Sequence, residues 1–265
     1  GNVHISTGKR EAELFKDISL DNAIIHNVSG PHPAGNVSTH IAEIDPINKG
    51  EVVWVVEPTD LVVLGELFLT GKLNLERTVA LTGSQFNAPH YVRVISGASI
   101  ADVVRGGDLN EDNTRLINGN PLTGTKTDKE GFLGFYDQQI TAIPEGDDYE
   151  FFGWNKPVFD KVSTSRALTF SWLTPKKKYD LTTNTNGEHR AFVVTGSYED
   201  VFPLDIYPMQ LLKAFMYKDL DEMENLGGYE IAPEDFALTE FICVSKQPHQ
   251  KIIREGLDLM NEELG

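Results

Sequence analysis

The sequence predicts an α+β protein of several modules, and three observations predict it. Strand-like and helix-like segments alternate over the first third of the chain. A strand–turn–helix–strand order follows, and the tail reads as helices. The 265 residues, 40% hydrophobic and 24% charged, are ordinary for a globular protein and sufficient for two or three modules, each with its own core.

The first module spans residues 1–88. Ala23-Ile-Ile25 is a short strand candidate ending at the turn Ser29-Gly-Pro-His-Pro33, and Ala34–Ile44 follows as a short helix or strand. Glu51-Val-Val-Trp-Val-Val56 is a near-continuous β-branched run, the pattern of a strand buried on both faces. Asp60–Phe68 fits a helix, with Leu61, Leu64 and Phe68 at helical spacing, and Arg77–Thr82 is a strand closed by Gly83. Strand–helix alternation of this kind predicts a partial α/β, Rossmann-like domain, about half of a complete one. The second module spans 89–147. Tyr91–Ile95 alternates as a strand, Gly97-Ala-Ser99 is a turn with a capping Ser, and Ile100, Val103 and Val104 form a short helix stripe. Thr114–Ile117 is a further strand before the turn Asn118-Gly-Asn-Pro121, and strands continue from Phe132 to Ile143. That order and size predict a β-grasp domain. Residues 148–203, rich in aromatics, Thr, Asn and Lys, read as a β extension with long loops. Residues 204–265 read as a helical domain, with helices from Met209 to Tyr217, from Pro233, and from Gln247 to Glu263.

Charge excludes some functions. A net charge of −17 argues against nucleic acid, whose phosphates require clustered Lys and Arg, and against adsorption of the whole chain to anionic lipid. The charge is uneven, however. Lys156–Arg190 carries seven basic and three acidic residues, whereas Glu199–Gly265 carries fifteen acidic and five basic. Two solvated faces explain this blandly; the sharper expectation is that Lys156–Arg190 docks on an acidic partner surface. No stretch approaches the about 20 uninterrupted apolar residues of a membrane span, since Glu57, Pro58, Asp60 and Glu66 interrupt the best candidate, Val52–Leu69. No secretory leader pattern is visible, and the Gly start is expected of a shortened or processed chain.

The one cysteine, Cys243, cannot make an intrachain disulfide or a self-contained iron–sulfur cluster, which needs about four thiolates, and it suits a reducing cytoplasm. Asp108-Leu-Asn-Glu-Asp112 imitates a calcium loop, but Asn113 stands where the sharp turn needs Gly and Gly119 where a bidentate Glu is needed, so it reads as a polar turn. The seven histidines show no His-x-x-x-His spacing, and no metal site is expected. Nucleophile-elbow, phosphate-loop and dinucleotide fingerprints are absent, and no catalytic residue is assigned. The remaining binding candidate is the loop Gly30-Pro-His32-Pro-Ala-Gly35 at a strand-to-helix turn, where free backbone N–H groups could receive an anion, although no Lys completes it.

Several long segments carry a resemblance. Gly30-Pro-His-Pro-Ala-Gly-Asn-Val-Ser-Thr-His-Ile41, Leu67-Phe-Leu-Thr-Gly-Lys-Leu73 and Arg77–Leu81 resemble, in order, the A-component family of bacterial sodium-translocating NADH:quinone oxidoreductases. Arg93–Ile100 with Asn118–Gly124 resembles its soluble-ligand-binding (SLBB) β-grasp domain. Phe152-Gly-Trp154, Thr183–Gly187, Val201–Asp205, Asp235–Leu238 and Phe241–Cys243 continue the match, which covers Ile18–Leu257. The resemblance implies a peripheral subunit on the cytoplasmic face of the bacterial inner membrane. It implies partnership with other subunits of a complex that couples electron transfer from NADH to ubiquinone to sodium export. It also implies that FAD, FMN, riboflavin and the iron–sulfur centres reside in those other subunits, leaving this chain without a cofactor and ubiquinone as its candidate ligand. The fold is similar to that of the NADH-binding subunit of respiratory complex I. The family's amino-terminal part, a hammerhead-like β domain and the start of the α/β domain, has no counterpart here. The competing expectation is a stand-alone β-grasp protein for a small ligand such as cobalamin or a polysaccharide.

Overall fold

The computed structural model describes residues 2–15, 22–148, 150–157, 159, 161–168, 170–173 and 177–264. Among the described residues it is an α+β structure with a parallel two-stranded sheet, a mixed five-stranded sheet and seven α-helices. The chain divides into two compact units, residues 1–55 with 189–265 and residues 56–188.

In the first unit β1 (Val3–Thr7) pairs in parallel with β2 (Ala23–Asn27), from Val3 opposite Ala23 to Thr7 opposite Asn27. Helix α1 (Val37–Ile44) follows β2, which settles the helix-or-strand alternative for Ala34–Ile44. The expected strand Glu51–Val56 is irregular, and its apolar side chains are exposed, Trp54 by 90%. Among the described residues no strand lies alongside to complete a ladder, and a β-branched run without a ladder does not hold a strand.

The second unit opens with α2 (Pro58–Thr70), which Pro58 starts and Gly71 closes in a left-handed conformation with its N–H on Leu67 O at 2.8 Å. No residue of α2 is buried, so its fixed points lie near its first turn. There Arg77 Nη2 donates to Asp60 Oδ1 at 2.6 Å, and Gln138 Nε2 donates to Thr59 Oγ1 at 2.9 Å. Strands β3 (Glu76–Thr82) and β4 (Tyr91–Ile95) form an antiparallel hairpin, α3 (Ile100–Val104) crosses next, and β5 (Thr114–Asn118), β6 (Thr125–Thr127) and β7 (Gln139–Pro144) complete the sheet. Its order is β4-β3-β7-β5-β6, with β3 and β7 parallel at the centre. Thus β3, read from sequence with the first module, is a central strand of this sheet. Of residues 132–138, Phe132 makes an isolated antiparallel bridge to Ser99 and 135–136 turn, in place of the expected continuous strand. The period-2 pattern of β3 turns Val79 and Leu81 inward, where they pack with Ile140 and Ala142 of β7 and with Ile100 and Val103 of α3. Gly83, at φ +101°, lies so close to Ala142 that a Cβ would stand 2.1 Å from its carbonyl oxygen.

The expected β extension is not seen among the described residues. Among the described residues from 148 to 203 there is no strand, only 3-10 turns at Gly153–Asn155 and Ser171–Leu173. Thr and aromatic residues favour strands only where a neighbouring edge is available, and here none pairs. The chain is tied back instead by Thr183 Oγ1, which accepts Gly146 N–H at 2.8 Å and donates to Glu145 Oε1 at 2.6 Å.

The tail returns to the first unit as α4 (Pro208–Tyr217), α5 (Leu220–Asn225), α6 (Ala237–Ile242) and α7 (His249–Leu264), as expected apart from the unforeseen α5. Leu211, Leu212, Phe215, Met223, Phe236 and Ile253 form its core. Among the described residues no helix is long and apolar enough to cross a membrane.

Candidate functional site

The loop after β2 is shaped by its own residues. Gly30 holds φ +149°, the His32–Pro33 peptide is cis, and Pro31 O and Pro33 O accept the N–H groups of Ala34 and Asn36 at 2.9 and 2.8 Å. Helix α1 then holds the loop from below, because His40 Nε2 donates to Ala34 O at 2.9 Å and Thr39 Oγ1 donates to Pro33 O at 3.4 Å. Beyond the helix start, Asp235 reaches back across the sequence. Its Oδ1 accepts from Ser38 Oγ in a very short bond and from Asn36 Nδ2 at 3.5 Å, while Oδ2 accepts Ala232 N–H at 2.8 Å. Burial of Asp235 pushes its carboxyl above the usual range, and these hydrogen bonds oppose that push. The carboxylate sits at the N-terminal end of α1, where the helix dipole favours negative charge.

A concavity of about 360 Å³ opens between the end of β2 and α1. Residues 26–29 line it from the strand, Ala34 from the loop, and Thr39, His40, Glu43 and Ile44 from the helix. The sequence-derived candidates Gly30, His32 and Gly35 stand at the exposed surface of the same loop and do not line the cavity, whereas their neighbours Ser29 and Ala34 do. His26 also meets His4 of β1. Their facing Nε2 and Nδ1 atoms are 3.0 Å apart with the rings inclined by 29°, so one imidazole donates and the other accepts. His4 Nε2 is buried without a hydrogen bond, and Asp45 at 3.9 Å reaches it only electrostatically. The wall therefore offers hydroxyl, amide and imidazole groups beside the apolar Val28, Ala34 and Ile44.

The second unit has a concavity of similar volume beside the pair Arg115–Glu145, lined also by Lys126 and Lys129. The Arg115 guanidinium, with Thr183, holds the Glu145 carboxyl below its ordinary range. Asp108–Asp112 forms a loop in which Asn110 Oδ1 accepts Asp112 N–H at 3.2 Å. Among the described residues no group of three or more His, Cys, Asp or Glu side chains is placed to hold a metal ion. Cys243 is buried and hydrogen-bonded to Tyr198 Oη at 2.8 Å. In the basic segment Lys156 and Lys161 both reach Glu150, while Asp160 and Lys176 lie outside the described residues.

Residues 1–73 match the family model described as the NqrA second alpha/beta domain, and residues 78–129 match the NQRA C-terminal domain (the SLBB model). Identity is 40% over 264 residues with the Na(+)-translocating NADH-quinone reductase component NqrA of Rhodopirellula baltica, covering 99% of this chain and 57% of that protein. The chain carries two domains of the NqrA family. The corresponding proteins of Haemophilus influenzae and Neisseria meningitidis are 40% and 39% identical to it, over 92% and 93% of this chain and 54% and 56% of theirs. The chain thus spans about half the length of the curated relatives it matches. Likeness to NqrA runs through both units and well beyond the five-stranded sheet, which disfavours the stand-alone ligand-binding reading.

Sequence reasoning found the loop but missed His4, His26, Thr39 and Asp235 as its companions. The contacts from Ser38 to Asp235 and from His4 to His26 join residues 197 and 22 positions apart, and no spacing rule reports such pairs.

Proposed function

We propose that this chain serves as a peripheral part of a sodium-translocating NADH:quinone oxidoreductase, on the cytoplasmic face of the bacterial inner membrane. That complex couples electron transfer from NADH to ubiquinone to sodium export, with FAD, FMN, riboflavin and iron–sulfur centres in its other subunits. Here the chain acts by holding those subunits, without redox chemistry of its own. The single observation that carries this reading is about 40% identity to NqrA proteins along nearly the whole chain.

The same reading assigns the modules. Counted within the five-stranded sheet, the strands lie in the order 2-1-5-3-4 with the helix after the hairpin, which supports a β-grasp domain around residues 89–147, to which β3 adds a strand. The β1, β2 and α1 elements support a partial Rossmann-like domain, and the exposed faces of Val52–Val56 and α2 are those a further layer would cover. Residues 148–203 are then a connecting extension and 204–265 the helical domain. The β2–α1 cavity is the place for a ubiquinone headgroup, whose two carbonyls require donors such as Ser29 and His26 beside an apolar wall. The purified chain is expected to show no flavin absorbance and no NADH oxidation. Stoichiometric bound flavin would contradict the role assigned to it.

A further inference from the structure

The segment from Glu150 to Lys178 differs in chemistry from the rest of the chain. It holds six basic residues against two acidic ones in a protein of net charge −17, and six of its residues are Phe or Trp. Four of these rings face solvent, with Phe151 91%, Phe152 56%, Phe159 50% and Trp172 59% exposed. The cations stand among them. Lys161 Nζ bonds Gly153 O at 2.7 Å beside the Phe151–Phe152 pair, and Lys177 Nζ bonds Phe159 O at 2.5 Å where Phe159 stacks on Phe170.

We infer that this segment is a docking surface for anionic lipid headgroups, into which its rings dip while its lysines stay at phosphate level. Aromatic rings and long cationic side chains are the pair that settles at a membrane interface, the first for its apolar body and the second because its stem can lie in the apolar layer while its head stays wet. An acidic protein surface has the same charge complementarity but demands a shaped, packed face. Among the described residues the segment has only two three-residue 3-10 turns, so Trp172 stands on a single short turn and Phe151, Phe152 and Phe159 stand outside any helix or strand. A fluid headgroup layer accepts such rings singly. The local charge also resolves why a chain this acidic can approach such a surface. Screening confines the repulsion of the remainder to about 10 Å at 0.1 M salt, so only the segment in contact sets the sign of the interaction.

Lipid docking by this segment is independent of the proposed redox role, so flavin or NADH results leave it untouched. The test is co-sedimentation of the whole chain with vesicles of phosphatidylcholine containing about 30% phosphatidylserine. Binding is expected, weakened at least about tenfold on neutral vesicles or in about 0.5 M salt. The double variant Lys177→Glu/Lys178→Glu and the double variant Phe151→Ser/Trp172→Ser should each weaken it similarly, with unchanged circular dichroism. The salt and lipid arms need no substitution and hold even if a variant misfolds. Absence of vesicle binding at low salt overturns the inference, as does binding indifferent to lipid charge. Retention on immobilised polyglutamate without vesicle binding overturns it in favour of an acidic protein surface.

Discussion

His249 shows how much a single buried side chain can determine. Thr239 Oγ1 donates to Phe236 O at 2.9 Å, so its lone pairs remain to accept from His249 Nδ1 at 2.9 Å. That fixes the ring as the neutral Nδ1–H tautomer, with Nε2 an unpartnered buried acceptor packed beside Tyr198 and Phe192. Burial lowers its pKa from 6.5 to about 4. The unfolded chain therefore binds the extra proton first. The stabilisation from this residue is complete above pH 6.5 and is lost as pH falls toward 4, by about 3 kcal/mol in all. Urea unfolding across that window should show the slope, and His249→Gln should flatten it. Asp235 makes a second prediction. Asp235→Ala strands Ser38 Oγ and Ala232 N–H, and should cost about 2 kcal/mol or more in the same measurement, with Asp235→Asn milder.

Elements were legible where periodicity and punctuation agreed. Helix α2 follows from Leu61, Leu64 and Phe68 at helical spacing, and β3 from the short run closed by Gly83. What covers an apolar face was not legible. Among the described residues the run Val52–Val56 has a buried strand's composition but no strand neighbour, and residues 148–203 have strand-favouring side chains but pair with no sheet edge. Propensity reports a preference, and pairing decides the outcome. The Arg77–Asp60 pair is likewise invisible in sequence, though it anchors a helix with no buried residue of its own. Asp60→Ala leaves the buried Arg77 guanidinium without its carboxylate, held only by Phe135 O and the Phe135 ring, and should cost about 3 kcal/mol. Hydrogen exchange should then quicken throughout α2. If exchange in α2 is unchanged, the pair is not its anchor. Gly83→Ala should cost several kcal/mol, roughly the upper range of point substitutions, because a methyl group there meets the Ala142 backbone, which cannot rotate away.

Across the whole molecule, the two units carry different features. One has a β2–α1 cavity tied by Asp235 to the helical tail, and the other a mixed sheet with a basic, aromatic extension. In both, the segments that resemble NqrA serve largely as turns, caps and packing. Gly30–Ile41 closes on Asp235, and in Asn118–Gly124 the Asn120 side chain accepts Leu122 and Thr123 N–H at 2.8 and 3.0 Å. Family identity was therefore readable from sequence, whereas the long-range contacts that assemble the cavity were not. The proposed scaffold role predicts turnover only in the assembled complex. The most direct measurement replaces the matching region of the Haemophilus influenzae NqrA protein with this chain and follows sodium-dependent NADH:quinone reduction in the assembled complex. Assembly and restored sodium-stimulated quinone reduction are the expected result. A correctly folded replacement that fails to join the other subunits would contradict the scaffold role.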